Sequence, residues 1–395
     1  MTTGSPTTLV VVAGLPDEAT ATLTEDLRSA RPGTVSLHHD LSRVAQGIVL
    51  RRMRSSKQNT IEVLELAHGC VSCTLREDVL PMLRRLAAIP EVRRVVLRLD
   101  PVIEPDAVCW AIQQVPIEGR PVSDDVDIEA IVTAVDVGRW LAAATDDREL
   151  AEHGLAVTPQ DERTLAQVAV GQVEFADALV LTGVADQKTR AVLDRLAPQA
   201  PRARLDDLDP NALLERIPVN ARRGAPDDPH GPVLLGQPPL DSDSGCTTLL
   251  FHDSRPFHPG RLSYALDALL DGVVRTRGRL WLASQPDAVL WLESAGGGLN
   301  LGRVGEWLAA SEPALWPDDP QRRVMAALRW HPYYGDRAQD LSILVHDADP
   351  VQLLASLRAA LLTDAELAQG WSSWPDLPDP FGSWHAELSG GKEEE

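Results

Sequence analysis

Cys70 and Cys73, spaced C-x-x-C in AHGCVSCTLRED, are the residues whose types and spacing point most directly to chemistry. Two thiolates at this distance grip one metal ion and make half of a zinc site, which takes four ligands when it is structural. His68, Glu62, Glu65 and Cys109 are the candidates to complete it. The same pair also suits small residues packed under a turn. A redox couple has less support, because the aromatic and Gly-Pro surroundings of thioredoxin-like motifs are missing. A second pattern is VVRTRGRLW, where Arg275, Arg277 and Arg279 alternate. In an extended segment, period two sets all three on one face. Such a ridge would meet RNA phosphates or an acidic partner, or else pair with Glu293 and aspartates inside the fold. Arg51, Arg52 and Arg54 in LRRMRSSK form a further basic cluster, expected near a surface loop.

The elements that must position these residues follow from the hydrophobic pattern. Strand-like runs fall at Thr8–Ala13, Thr34–His38, Asn59–Leu66, Val92–Leu99, Ile128–Val135 and Ala178–Leu181, with helical segments such as 76–89 and 161–172 between them. Alternation of this kind predicts an α/β domain, a doubly wound and mostly parallel sheet over residues 1–218. Dense Pro, Gly and Asp mark 219–243 as a linker. Strands at 247–252, 278–283, 288–293 and 341–346, with helices at 259–270 and 350–361, predict a smaller α+β domain over 244–371. Residues 372–395 read as a loosely ordered acidic tail. Trp281, Trp291 and Trp307 are expected in the second core, Cys246 as a small buried residue and His258 as a turn residue.

Composition narrows the function. The formal net charge of −21 disfavours DNA and acidic lipid as partners. No apolar run approaches the ~20 residues needed to span a bilayer, and the apolar start lacks the basic residues of a signal peptide. A cytoplasmic location is expected. Four cysteines in 395 residues do not suggest a disulfide scaffold.

Gly69-Cys70-Val71-Ser72-Cys73-Thr74-Leu75-Arg76-Glu77-Asp78-Val79 resembles the G-C-x-C-C-T-x-R-x-D-L segment of the CobW-type P-loop GTPases and metallochaperones, with Ser72 in place of the central cysteine. RPFHPGRL, VVRTRGRLWLA, AGGGL and ALLTDAEL resemble that family's C-terminal domain in the same order. The resemblance implies a P-loop NTPase-like sheet domain, a CobW C-terminal domain and zinc bound at the cysteine loop. Within the family the chain is most similar to the actinobacterial branch known as Mrf, on HGCVSCTLREDVL, EPDAVCWAI, AQVAVGQVEFADALVLT and DPFGSWH. That likeness implies zinc-responsive recruitment of a ribosome hibernation-promoting factor to the small ribosomal subunit. The other family activity is GTP-dependent delivery of zinc or cobalt.

The nucleotide motifs are eroded. A phosphate loop needs G-x-x-x-x-G-K-[ST], so that amides surround the phosphates, lysine neutralises them and a hydroxyl holds Mg²⁺. Here Gly14 is kept, Ala19 replaces the second glycine, Thr20 the lysine, and Ala21 the hydroxyl residue. Arg98-Leu99-Asp100-Pro101 stands where the family has E-T-x-G, and Thr182-Gly183-Val184-Ala185 where it has N-K-x-D. Gly14, Thr20 and Ala21 are thus a degenerate nucleotide site, and neither bound GTP nor hydrolysis by the usual mechanism is expected.

Overall fold

In the computed structural model, residues 6–66, 68–158, 160–234 and 236–382 are described. They form two compact units, residues 1–144 with 148–226, and 145–147 with 227–395.

The first unit is built on β1 (Thr7–Ala13), β2 (Thr34–Asp40), β3 (Ile48–Arg54), β4 (Asn59–Glu65), β5 (Arg94–Arg98), β6 (Val126–Asp136), β7 (Ala178–Thr182) and β8 (Arg202–Arg204). These lie in one sheet in the order β8-β7-β6-β1-β5-β2-β3-β4. From β8 to β2 all neighbours are parallel, while β2–β3 and β3–β4 are antiparallel. Strands in the middle read as continuous apolar runs because helices cover both faces; Leu9 to Ala13 are all fully buried. Helix α1 (Asp17–Ser29) turns Leu23 and Leu27 onto one face beside Val96 and Val132. On the other face pack α2 (Leu80–Ala87), through Leu80, Leu83 and Leu86, and α3 (Pro105–Gln114). Around them stand α4 (Trp140–Ala144), α5 (Leu165–Glu174), α6 (Gln187–Leu196) and α7 (Pro210–Glu215). A reciprocal cap between Thr164 and Gln167 starts α5.

Strand β3 was not anticipated: LRRMR reads as a basic surface cluster, yet its alternate residues Val49 and Arg51 are buried. Residues 219–226, expected as linker, pack on the first unit. Arg222 lies over the Phe175 ring at 4.6 Å, and the Arg223 amide donates to Asp177 Oδ1 at 3.0 Å.

The second unit holds an antiparallel sheet of β9 (Thr247–Asp253), β10 (Val273–Leu280), β11 (Ala288–Ala295), β12 (Gly298–Glu306) and β13 (Gln339–Val345), in the order β9-β13-β10-β11-β12. Helices α8 (Pro259–Asp267), α9 (Pro320–Arg329) and α10 (Pro350–Ala360) complete it. Trp281, Trp291 and Trp307 are buried as expected, as is Cys246, and the His258 ring caps α8 by accepting from the Arg261 amide. Residues 372–382, expected as loose tail, contribute Trp374 and Phe381 to the core. Residues Ser383 to His385 of DPFGSWH lie outside the described residues. None of the described helices is long and apolar enough to cross a membrane.

Candidate functional site at the cysteine loop

Strand β4 runs in the same direction as β2, so Glu65 ends it at the sheet edge where Ala13 and Arg98 end β1 and β5. The chain then turns tightly. A Cβ on Gly69 would stand 2.1 Å from the carbonyl oxygen of Val44, so only glycine lets the backbone pass there. Cys70 is extended and caps the helical run that follows. Its Sγ accepts the Cys73 amide at 3.0 Å, and its carbonyl accepts both the amide and the hydroxyl of Thr74. Cys70 and Cys73 are half-buried and joined as a disulfide, with Cα atoms 5.3 Å apart.

The run continues through Val71–Thr74 and a wide-turn segment, Leu75–Val79, into α2. Asp78, at its buried face, anchors the loop to the sheet. It accepts from His39 Nε2 at 2.6 Å and from the Arg51 guanidinium, which also pairs with Glu62. His39, Arg51 and Glu62 are directly opposite one another on β2, β3 and β4, so this row follows from strand register. Asp78 was visible in the sequence only as part of the family segment; its partners depend on pairing across three strands.

The other metal-ligand candidates are not brought to the thiols. Glu62 is engaged by Arg51, and Glu65 lies on the opposite face of β4. His68 is exposed, its carbonyl accepting the Cys70 amide at 3.0 Å. Cys109 sits under Gly224 and Ile128 in the core, where burial pushes its thiol up to about 12. Among the described residues no three His, Cys, Asp or Glu side chains converge as a metal-holding group. The donor set present is therefore two sulfurs.

At the degenerate phosphate loop, α1 begins at Asp17, so the positions that would wrap phosphates are wound into helix. The Thr20 amide bonds to the Pro16 carbonyl, and its buried hydroxyl donates to the Asp17 carbonyl at 2.9 Å. Arg98 reaches over from the end of β5. It donates to Thr20 Oγ1 at 3.2 Å and to the Asp17 carbonyl at 3.1 Å, and forms an ion pair with the Asp17 carboxylate. Ala21 lies one residue deeper in the helix. Gly14, at φ 141°, is needed because a Cβ there would meet the Ala134 carbonyl oxygen at 2.4 Å. Asp100 accepts the Leu41 amide, with burial raising its carboxyl. Asp186 caps α6 through Thr189. A cavity of about 180 Å³ lies between Leu15, Pro16, the end of β6 and Trp140, at the switch point between β1 and β6.

The arginine ridge also takes a structural place. The alternation does run along a strand, β10, but Arg277 and Arg279 are 4% and 7% exposed. Arg275 pairs with Glu293 at 3.1 Å, Arg277 with Asp227 at 2.9 Å, and Arg279 with Asp340. Charges buried so deeply need partners inside the fold, so of the two readings open for this ridge the structure has the internal pairing and not an exposed face for RNA or a partner.

Residues 43–205 match the profile of the CobW/HypB/UreG nucleotide-binding domain, and 246–361 that of the cobalamin synthesis protein cobW C-terminal domain. The zinc chaperone Rv0106 of Mycobacterium tuberculosis is 45% identical, over 96% of this chain and 94% of its own length. The chain belongs to the CobW family. The match to the nucleotide-binding profile begins after the degenerate phosphate loop. Zinc-regulated GTPase metalloprotein activator 1 of Dictyostelium discoideum is 26% identical, over 84% of this chain and 73% of its own. Among solved structures, Zn(II)-bound YjiA GTPase from E. coli aligns over 91% of this chain and 100% of its own at 13% identity, with a TM-score of 0.40.

Proposed function

We propose that this chain handles zinc as cargo at Cys70 and Cys73 and passes it to a partner. The observation that carries the reading is the pair of half-buried sulfurs at a helix start, with no metal-holding group of three ligands around them among the described residues. A structural zinc site is closed by four ligands, whereas two thiolates leave positions for a receiving protein to fill. Reduction of the disulfide takes two electrons and two protons from a dithiol donor; zinc binding then releases the thiol protons. The relative named a zinc chaperone, and the one named a zinc-regulated activator, support this reading.

The finer reading is that the zinc-empty state recruits a ribosome hibernation-promoting factor to the small ribosomal subunit, in the cytoplasm, without nucleotide turnover. The Arg98–Asp17 closure favours it over the GTP-dependent form of zinc delivery, which rests on the match to a nucleotide-binding domain. The test uses the reduced full chain. Zinc per chain is measured for the parent and for the variant with C70S and C73S together, and hibernation-promoting factor is titrated at high and low zinc. Loss of zinc in the variant is expected, and retention overturns the cysteine-loop reading. Partner binding that ignores zinc overturns the recruiter reading, and Mg²⁺-dependent GTP turnover overturns the claim that turnover is absent.

A further inference from the structure

Strands β1 and β6 are parallel neighbours, yet the helices that follow them lie on opposite faces of the sheet. Helix α1 packs on the face of Val10 and Val12, whereas α5 brings Val168 to the face of Leu9 and Ile131. Ligand crevices of α/β sheets open at the ends of strands that part in this way. The cavity of about 180 Å³ lies there, walled by Leu15 and Pro16 after β1, Val135 on β6, Trp140 on α4, and Ala169 and Val173 on α5.

The polar donors in that wall are spent inside the protein. The Thr133 hydroxyl donates to the Gln172 carbonyl at 2.8 Å, the Gln172 side-chain amide to the Pro101 carbonyl at 2.7 Å, and the Trp140 indole to the Ala169 carbonyl at 3.1 Å. The wall therefore offers apolar contact. An apolar cavity of roughly 150 Å³ takes up benzene, so this one has room for a side chain of about four to seven carbons.

The mouth has a different character. Asp136 and Arg139, with side chains 37% and 89% exposed, line the cavity where it meets solvent. Asp136 Oδ1 accepts the Gly138 amide at 3.1 Å. Its Oδ2 stands 3.9 Å from Arg139 Nε, beyond a hydrogen bond, and the guanidinium has no other partner among the described residues. So exposed a pair is worth little, and each group is available to a ligand. The carboxylate disfavours a ligand that is only anionic, phosphates included, and the guanidinium one that is only cationic. Pro16 has no N–H to give a phosphate either. A molecule with both charges side by side on an apolar body satisfies all of these demands.

We propose that this cavity binds a free α-amino acid with an apolar side chain. The side chain fills the space between Leu15, Trp140 and Val173, the ammonium donates to Asp136 Oδ2, and the carboxylate pairs with the Arg139 guanidinium. The inference goes beyond zinc handling, and the site shares no residue with the cysteine loop.

The full chain is titrated in a calorimeter with leucine, phenylalanine and glycine, and with the deamino and amide analogues of the first two. Leucine or phenylalanine binds at least tenfold more tightly than glycine, which lacks the apolar side chain. The same amino acid binds at least tenfold more tightly than its deamino analogue, which lacks the ammonium, and its amide, which lacks the carboxylate. D136N keeps an acceptor for the Gly138 amide, and R139A removes a side chain that holds nothing else. Each weakens the amino acid at least tenfold, with an unchanged melting temperature when no ligand is added. The combined C70S and C73S variant binds it as the parent does, so a failure here separates from a failure of the zinc reading. No binding of either amino acid at millimolar concentration overturns the proposal, as does full affinity in both D136N and R139A. So does a deamino analogue as tight as its parent, or an equally tight amide, which assigns the cavity to a peptide N-terminus. The ligand series on the unsubstituted chain decides the matter even where a variant does not fold.

Discussion

Ala13 and Glu65 end strands at the same edge of one sheet, yet the loops that follow them have opposite character. After Ala13 the chain winds into α1 within three residues, and Arg98 closes on Asp17 and Thr20. After Glu65 it turns tightly and presents two sulfurs, anchored from beneath by Asp78. In the first loop the lysine position is Thr20 and the acid position is Arg98, so the positive charge arrives from the opposite side and is neutralised by a neighbour. In the second, the loop's chemistry remains outward because its internal ion pairs stop at the anchor. The difference teaches that two loops at one edge of a sheet diverge according to where their ion pairs close: across the loop itself in the first, beneath it in the second.

The sharpest way to break this comparison is to remove the sulfurs. The combined C70S and C73S variant is expected to lose all zinc measured per chain while its melting temperature changes little, whereas R98A keeps full zinc. Equal zinc loss in both would mean that the two loops act as one site. The anchor comes next. Asp78, Arg51 and His39 are all buried, and removing one partner leaves uncompensated charge. D78A is therefore expected to cost about 3 kcal/mol in urea unfolding and to weaken zinc binding, because the loop loses its seat.

Histidine 38 gives a pH handle on the closed side. Burial, reinforced by the nearby Arg98, lowers its pKa to about 4 from 6.5. A histidine whose pKa falls on folding binds fewer protons folded than unfolded, so stability is full above about pH 6.5 and declines as pH drops toward 4. The loss has an upper bound of about 3 kcal/mol across that window. H38N is expected to flatten the slope of unfolding free energy against pH between 6.5 and 4, while zinc content at pH 7 is unchanged. A slope that persists in H38N assigns the acid sensitivity to other groups.

Much of this was legible in the sequence, for identifiable reasons. β-branched runs such as TLVVVA mark buried parallel strands because both their faces are covered. The cysteine pair is contiguous, so its spacing is readable, and the residues around it carry the resemblance to the family segment. Erosion of the phosphate loop was also readable, but the early start of α1 and the reach of Arg98 were not, since they join residues 81 apart. The ridge at Arg275, Arg277 and Arg279 was read as alternating, with contact to RNA or a partner and pairing inside the fold both open; the pairing with Glu293 was within reach of the sequence. Its acidic partners Asp227 and Asp340 come from distant segments. Strand β3 was hidden because three of its seven residues are arginines, which read as a surface cluster.

The smallest effect tests the closure itself. Arg98 is largely buried, but Asp17 leaves 64% of its side chain exposed, so solvent screens most of their attraction. R98A is expected to cost no more than about 1 kcal/mol in urea unfolding, with part of that from the lost bond to Thr20. Its value lies in what accompanies it. If the ion pair alone keeps anions from the α1 start, R98A exposes the Asp17 carboxylate there and makes phosphate less welcome still. D17A instead leaves Arg98 uncompensated beside the helix N-terminus, where an anion gains from both. Inorganic phosphate should then raise the melting temperature of D17A more than that of the parent or R98A. If phosphate moves none of the three, the early winding of α1 has removed the site, and the arginine only seals what the backbone has already closed.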